Sequence, residues 1–173
     1  GMWLYAHDRA GEAVAACRSA VQLDPDDAVS WRNLGLAAYN HGQDLAEAVR
    51  CYDQALLAAP NDGRLIFERD QLDVRAGVAA MQRLERLTEK WSAISDRDDA
   101  AVELAHLYLS TAKIDQAAEL LQGRTFQPWE GGEGQALRAW DRMCLAQARR
   151  AMAGGEPDAA VSWLDRALDP PQS

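Results

Sequence analysis

The chain has 173 residues and a mass of 19.0 kDa, which allows one ordinary domain or a short array of small repeats. Alanine accounts for 33 residues, whereas valine, isoleucine and threonine together account for 14, so a fold centred on a β-sheet is disfavoured. The net charge of −9 would repel a polyphosphate backbone, so we expect no nucleic-acid partner, and no apolar run is long enough to predict a membrane span.

The first third of the chain repeats itself at an interval of 35 residues. The pattern is a small residue, a larger residue four positions later, a second small residue three positions after that, and then a proline. It occurs first at Ala13, Cys17, Ala20 and Pro25, and again at Ala48, Tyr52, Ala55 and Pro60. A fixed interval of this length predicts stacked supersecondary units.

Trp31, Leu34 and Gly35 stand upstream of the second copy. With Ala48, Tyr52, Ala55 and Pro60 they resemble the tetratricopeptide repeat, a 34-residue helix-turn-helix unit with the pattern W-x2-L-G-x2-Y, A-x3-F-x2-A and P. The small residues let paired helices approach closely, and the proline ends the second helix. Asp26–Asp27 and Asn61–Asp62 offer caps for the helices that follow. The resemblance implies an all-α, right-handed solenoid of about five antiparallel hairpins.

The same frame continues, less regularly, to the end of the chain. Matching residues occur at Leu104, Ala105, Tyr108, Ala117 and Leu121, and then at Ala148, Gly155, Ala160, Leu164 and Ala167. Pro157 suits the first position of the last helix. Between them, periodicity predicts a helix over 63–74, a turn at 75–77 and one helical stripe from Ala80 through Leu84 and Leu87 to Trp91. The predicted units of this single domain are 1–25 (partial), 26–60, 61–94, 96–123 and 134–169.

The segment 123–134 interrupts the repeats with four glycines, a proline and two aromatic residues. A phosphate cradle is disfavoured because no lysine accompanies the glycines, and Glu130 and Glu133 are too few for a calcium loop. Two alternatives stay open. Either Phe126 and Trp129 fill the core of a shaped connector, or the segment contacts a partner through Phe126, Trp129, Glu130 and Glu133.

The stretch from Phe126 to Gly134, with the earlier Arg97-Asp98-Asp99, also resembles the C-terminal part of a family of long bacterial proteins. In that family a β-rich N-terminal region of uncharacterised function precedes tetratricopeptide hairpins. This resemblance covers about residues 61–169 and implies no catalytic residue. It implies that the chain is a fragment and that another domain of the same polypeptide is one partner. The repeat frame agrees, because Gly1 falls at the eighth position of a unit.

In the tetratricopeptide repeat, the first helix of each hairpin lines a concave face where ligands bind. The positions that usually touch ligands, extended to the next first helix, give seven groove candidates: Arg32, Leu36, Tyr39, Asn40, Arg64, His106 and Leu109. Arg32, Arg64 and Arg69 could form a basic strip for an acidic peptide. The alternative is that these arginines are simply solvated.

The sequence carries no motif of a catalytic centre, and its histidines and cysteines are too widely spaced to predict a metal or cofactor site. We therefore expect a noncatalytic, cytoplasmic scaffold that binds a protein or peptide. The sequence predicts no oligomeric state. The alternative is an accessory C-terminal domain of a carbohydrate-active bacterial enzyme, in which Trp129 and Trp140 would contact a sugar.

Overall fold

A computed structural model describes residues 10–127, 132 and 134–170. Within these ranges every regular element is a helix, and no strand occurs. The ten helices of the described part are α1 (Ala10–Leu23), α2 (Ala28–Gly42), α3 (Leu45–Ala58), α4 (Gly63–Arg75), α5 (Ala80–Glu89), α6 (Trp91–Ile94), α7 (Asp98–Ser110), α8 (Ile114–Gln122), α9 (Gln135–Ala153) and α10 (Pro157–Ala167). The all-α prediction is confirmed. Of the partial first unit, residues 1–9 lie outside the described part.

The chain divides into two compact units, Gly1–Val78 and Ala79–Ser173. The division falls between α4 and α5, inside the segment 61–94 that the repeat pattern predicts as one hairpin. Each unit is described by itself below.

Aspartates begin three helices of the first unit. The Asp27 carboxylate accepts hydrogen bonds from the amides of Val29 and Ser30, 3.0 and 3.1 Å away, at the start of α2. Asp62 caps α4 in the same way, and Asp44 caps α3. These bonds satisfy amide groups that would otherwise lack a partner in the first helical turn. The caps expected at Asp27 and Asp62 are confirmed.

The hairpin of α2 and α3 is held together by the small residues of the repeat pattern. Ala48 and Ala55 are fully buried, and Tyr52 is buried beside them. Gly35 faces the Tyr52 ring so closely that a Cβ added there would lie 2.8 Å from the ring's Cδ2 atom. Helix α1 packs on the other side of this hairpin, where Cys17, Val21, Leu34 and Cys51 form one apolar cluster.

The second unit surrounds one large apolar cluster contributed mainly by α7, α8 and α9. Its core includes Leu121, Met143 and Cys144, each fully buried. Gly155, with φ +75°, turns the chain from α9 into α10, and Pro157 is the first residue of α10 as expected.

The continuous stripe expected from Ala80 to Trp91 is wrong in one respect. Helix α5 ends at Glu89, and Trp91 begins α6, a separate turn of four residues. Lys90, with φ −96° and ψ 8°, lies outside helical geometry and separates the two. Trp91 still packs against the core of the second unit. The spacing of the apolar residues therefore predicted this packing correctly, although it did not predict the break between the two helices.

None of the helices in the described ranges is at once long enough and apolar enough to span a bilayer.

We expect the Gly35→Ala variant to lose about 1–3 kcal/mol of unfolding free energy, because the added methyl group would collide with the Tyr52 ring. Urea unfolding followed by circular dichroism measures the loss. Gly11→Ala is the matched control, since Gly11 is helical and no atom lies within 4 Å of its added Cβ. That control should be as stable as the parent or slightly more stable. Equal stability of the Gly35→Ala variant would contradict the packing described here.

Candidate functional site

The candidate surface of the first unit is formed by α2 and α4, the first helices of two successive repeats. Two rows of side chains make up this α2–α4 face: Arg32, Leu36 and Tyr39 on α2, and Arg64, Glu68, Gln71 and Arg75 on α4. The spacings of four and three residues place each row on one side of its helix. The face therefore brings together four predicted groove residues, Arg32, Leu36, Tyr39 and Arg64. Asn40 is exposed at the C-terminal end of α2.

Glu68 is the centre of a polar network that joins α2, α3 and α4. The Arg32 guanidinium donates two hydrogen bonds to its carboxylate, at 2.6 and 2.5 Å. The Tyr52 hydroxyl donates a third at 2.7 Å, and Arg64 Nε donates a fourth at 3.0 Å. Arg32 is accordingly held inside the protein by a bidentate ion pair, which is the strong form of this interaction.

The network sets the protonation of its members. Burial alone would raise the pKa of the Glu68 carboxyl, but the hydrogen bonds from Arg32, Tyr52 and Arg64 outweigh it and lower that pKa. The hydrogen bond to Glu68 raises the pKa of Arg32. Burial, and then the bond to Glu68, raises the pKa of the Tyr52 hydroxyl. Glu68 is thus an anion and Tyr52 a neutral donor over the physiological range.

The α2–α4 face is basic although the chain as a whole is acidic. Helix α2 contains no acidic residue. Helix α4 contains three, of which Asp70 and Asp73 are buried and Glu68 is neutralised by arginine. Arg64 keeps 61 % of its side chain exposed. An anionic segment would therefore meet a favourable local potential here.

An aromatic contact forms the other end of the face. The Arg75 guanidinium carbon lies 5.2 Å from the centroid of the Tyr39 ring, within the range of a cation–π interaction. Tyr39 and Leu36 are half-buried, since both pack against the core of the hairpin. Arg69, which was expected to extend the basic strip, is instead half-buried between Asp53 and Asp73, at 2.7 and 2.6 Å.

In the second unit, His106 and Leu109 lie on α7 beside the exposed Arg138 and Arg142 of α9, and these four residues define the α7–α9 face. Arg142 Nη1 lies 3.2 Å from His106 Nδ1. Burial lowers the pKa of His106, and the charges of Arg142 and Arg138 lower it further against the opposing effect of Glu103. A guanidinium can only donate, so in this contact Arg142 donates to Nδ1 of a neutral His106 ring. Leu109 packs against the core of the unit.

The start of the glycine-rich segment is fixed to the second unit. Arg124 Nε donates to Asp98 at 2.6 Å, and the Gln127 amide donates to the other oxygen of the same carboxylate at 2.6 Å. Phe126 is only 4 % exposed and belongs to the core cluster. It therefore fills the core, as the connector alternative expected, and offers almost no surface to a partner. Trp129, Glu130 and Glu133 lie outside the described residues.

Trp140, the second tryptophan considered for sugar contact, is buried. Its indole N–H donates to the carbonyl oxygen of Arg166 at 2.9 Å, so its polar atom is already occupied. This ring cannot stack on an external sugar without unpacking the hairpin of α9 and α10.

Sequence reasoning missed five residues of these faces: Glu68, Gln71, Arg75, Arg138 and Arg142. For Glu68 and Arg75 the sequence contained a signal. Glu68 follows Arg32 by 36 residues, and Arg75 follows Tyr39 by the same interval, which is close to one repeat length. Side chains one repeat apart on successive first helices become neighbours, so the two contacts could have been inferred from the interval.

Among the described residues, no three histidine, cysteine, aspartate or glutamate side chains are grouped as metal ligands.

Three solved structures share this architecture. YrrB, described as a tetratricopeptide protein with an unusual peptide-binding site, is 18 % identical, with a TM-score of 0.68 over 96 % of this chain and 80 % of its own. Two structures of MamA are each 16 % identical, with a TM-score of 0.67 over 96 % of this chain and 91 % or 85 % of theirs. No model of a known protein family matches the sequence. The fold is therefore that of tetratricopeptide-repeat proteins.

We expect Glu68→Gln to lower the unfolding free energy at pH 7 by about 1–3 kcal/mol, because Arg32 loses its counter-charge. The pKa of Glu68 is lower in the folded state than in the unfolded state, so its contribution is complete above the unfolded pKa of about 4.3 and is lost as the pH falls through the folded value. The difference in unfolding free energy between parent and variant, measured by urea unfolding, should therefore shrink as the pH falls from 7 to 3.5. Tyr52→Phe removes one hydrogen bond to Glu68 and should lower the unfolding free energy by less than Glu68→Gln does. Glu119→Gln changes an exposed glutamate outside the network and should leave the unfolding free energy unchanged.

The ring of His106 should titrate, in proton NMR, with a midpoint below the ordinary histidine pKa of about 6.5. Because Arg142 lowers the pKa of His106, Arg142→Gln should move the midpoint upward. Arg149→Gln, on the same helix, is the control and should leave it unchanged. A midpoint that does not respond to Arg142→Gln would show that the contact between the two side chains is absent in solution.

Proposed function

From the fold of tetratricopeptide-repeat proteins, we propose that this chain is a noncatalytic module that binds a protein segment across its α2–α4 face. The observation that carries the proposal is the exposed arginine at each end of α4, in a face whose acidic residues are buried or neutralised. The peptide-binding site named for YrrB supports the same class of function.

The face suggests the chemistry of its partner. Arg64 and Arg75 are eleven residues apart on one helix, so their Cα atoms are separated by about 16 Å. An extended peptide rises about 3.3 Å per residue and its side chains alternate between two faces, so two carboxylates four positions apart lie on one face, about 13 Å apart. The side chains of Arg64 and Arg75 lean toward each other along α4, where they contact Glu68 and the Gln71 carbonyl, so such a pair of carboxylates would reach both arginines. Leu36 and the Tyr39 ring offer apolar surface to the residues between. The proposed ligand is an extended acidic segment with this spacing.

Arg32 has a different role in this proposal from the one expected from sequence. Its side chain is paired with Glu68, which also accepts a hydrogen bond from Arg64. In this proposal Arg32 therefore holds Glu68 in place to position Arg64, and it does not contact the ligand. Asn40 and the α7–α9 face stay candidate contacts.

Other expectations from the sequence stay predictions. These are cytoplasmic localisation, the absence of catalysis, origin in a longer bacterial protein, and a partner that is another domain of the same polypeptide. The carbohydrate-accessory alternative is weakened, because Trp140 is buried.

A fluorescent peptide with two glutamates four positions apart tests the proposal by polarisation. We expect Arg64→Gln and Arg75→Gln each to weaken binding about tenfold, since each removes one charge-assisted bond. Arg50→Gln, an exposed arginine of α3 in the same unit, is the matched control and should bind like the parent. Equal affinity for a peptide with glutamine at both positions, or no effect of the two variants, would refute the proposal.

A further inference from the structure

The last hairpin of the second unit presents an apolar groove. The groove lies between α9 and α10, has a volume of about 370 Å³ and is lined by Leu145, Met152, Val161 and Leu164 among others. Met152 and Val161 expose 61 % and 56 % of their surface. A cluster of exposed aliphatic side chains within one hairpin is typical of an interaction surface.

The two helices of this hairpin carry exposed charges of opposite sign beside the groove. Arg149 of α9 lines the groove, and Arg142 lies two turns earlier on the same helix. On α10, the exposed Asp158 and Asp165 each follow a lining residue directly. Each pair is seven residues apart, which is two helical turns or about 10 Å, so each pair forms a short stripe along its helix. Arg142 contacts His106, but a guanidinium has five N–H donors and can serve a second acceptor. Asp141, half-buried on α9, adds one acidic group near the groove.

The two stripes lie level with each other across the hairpin. The hydrogen bond from the Trp140 indole to the Arg166 carbonyl fixes the register of the antiparallel helices. If Trp140 and Arg166 are taken to lie at the same height along the hairpin axis, Arg142 lies at the height of Asp165, to within about one residue. Arg149 lies at the height of Asp158, again to within about one residue. Two stripes of opposite charge, equal spacing and equal level are complementary to their own copy after a two-fold rotation.

We propose that the groove binds the same groove of a second copy of this chain, related by a two-fold axis parallel to α9 and α10. That axis places α9 of one copy over α10 of the other, so both basic stripes meet acidic stripes while Leu145 and Met152 face Val161 and Leu164. The four helices form a bundle in which every neighbouring pair is antiparallel, an arrangement that also aligns the helix dipoles favourably.

The charges also reject the other face-to-face arrangement. A two-fold axis perpendicular to the helices would place α9 on α9 and α10 on α10. Arg149 would then meet arginine, and Asp158 and Asp165 would meet aspartate. Like charges across an interface weaken association, so the stripes specify a single orientation.

Sedimentation equilibrium of the 173-residue chain tests the proposal, and we expect a dimer. Val161→Glu should be monomeric up to about 100 μM, because it places a carboxylate in the apolar centre. Leu57→Glu changes an exposed leucine of α3, outside the groove, and should remain dimeric. A monomeric parent at that concentration, or a dimer unaffected by Val161→Glu, would overturn the proposal.

Charge reversal provides a test that misfolding cannot imitate. One variant carries Asp158→Arg and Asp165→Arg, and the other carries Arg142→Glu and Arg149→Glu. In each variant the stripes on α9 and α10 carry the same sign of charge, so like charges would meet across the interface. Each variant alone should therefore dimerise at least tenfold more weakly than the parent. An equimolar mixture should form heterodimers, since every contact between the two variants is then between opposite charges. A mixture that stays monomeric, or variants that dimerise like the parent, would exclude this interface in favour of a different partner or surface.

Discussion

The contact between Gly35 and the ring of Tyr52 determines the geometry of the first unit. Because position 35 has no side chain, α2 and α3 approach until the ring rests on the backbone. That approach brings the hydroxyl of the same ring to Glu68 on α4, and Glu68 in turn holds Arg32 and Arg64. A packing requirement of the repeat thus determines where the charged groups of the α2–α4 face lie.

The distribution of charge separates this face from the rest of the molecule. A protein with a net charge of −9 repels most acidic partners at long range, but screening reduces that repulsion beyond about 10 Å at moderate ionic strength. At contact distance, the burial of Asp70 and Asp73 leaves Arg64 and Arg75 as the charges that a ligand meets. The selectivity that we propose for an acidic segment therefore depends on which carboxylates are buried, more than on the total charge.

The sequence predicted the helices, the caps at Asp27 and Asp62 and the role of Gly35, because each depends on local spacing and side-chain size. It did not indicate features that depend on contacts between repeats. Arg32 was expected to be a ligand contact, and only the register between α2 and α4 shows that its guanidinium pairs with Glu68. For Phe126 the sequence left two alternatives open, and the structure shows its ring in the core beside the bonds of Arg124 and the Gln127 amide to Asp98. The groove between α9 and α10 was not predicted, since the apolar pattern of a hairpin does not indicate which side lacks a neighbour.

Tyr52 stands where the repeat pattern has phenylalanine, and its extra oxygen has an evolutionary consequence. A buried phenol is tolerated only while an acceptor faces it, and here that acceptor comes from the following repeat. Suppose that the hairpin 28–58 were duplicated next to a repeat that has no carboxylate at the position of Glu68. The Tyr52 hydroxyl would then be buried without a hydrogen-bond acceptor. The hairpin 28–58 therefore depends on the repeat that follows it, and the array is less modular than its periodic pattern suggests.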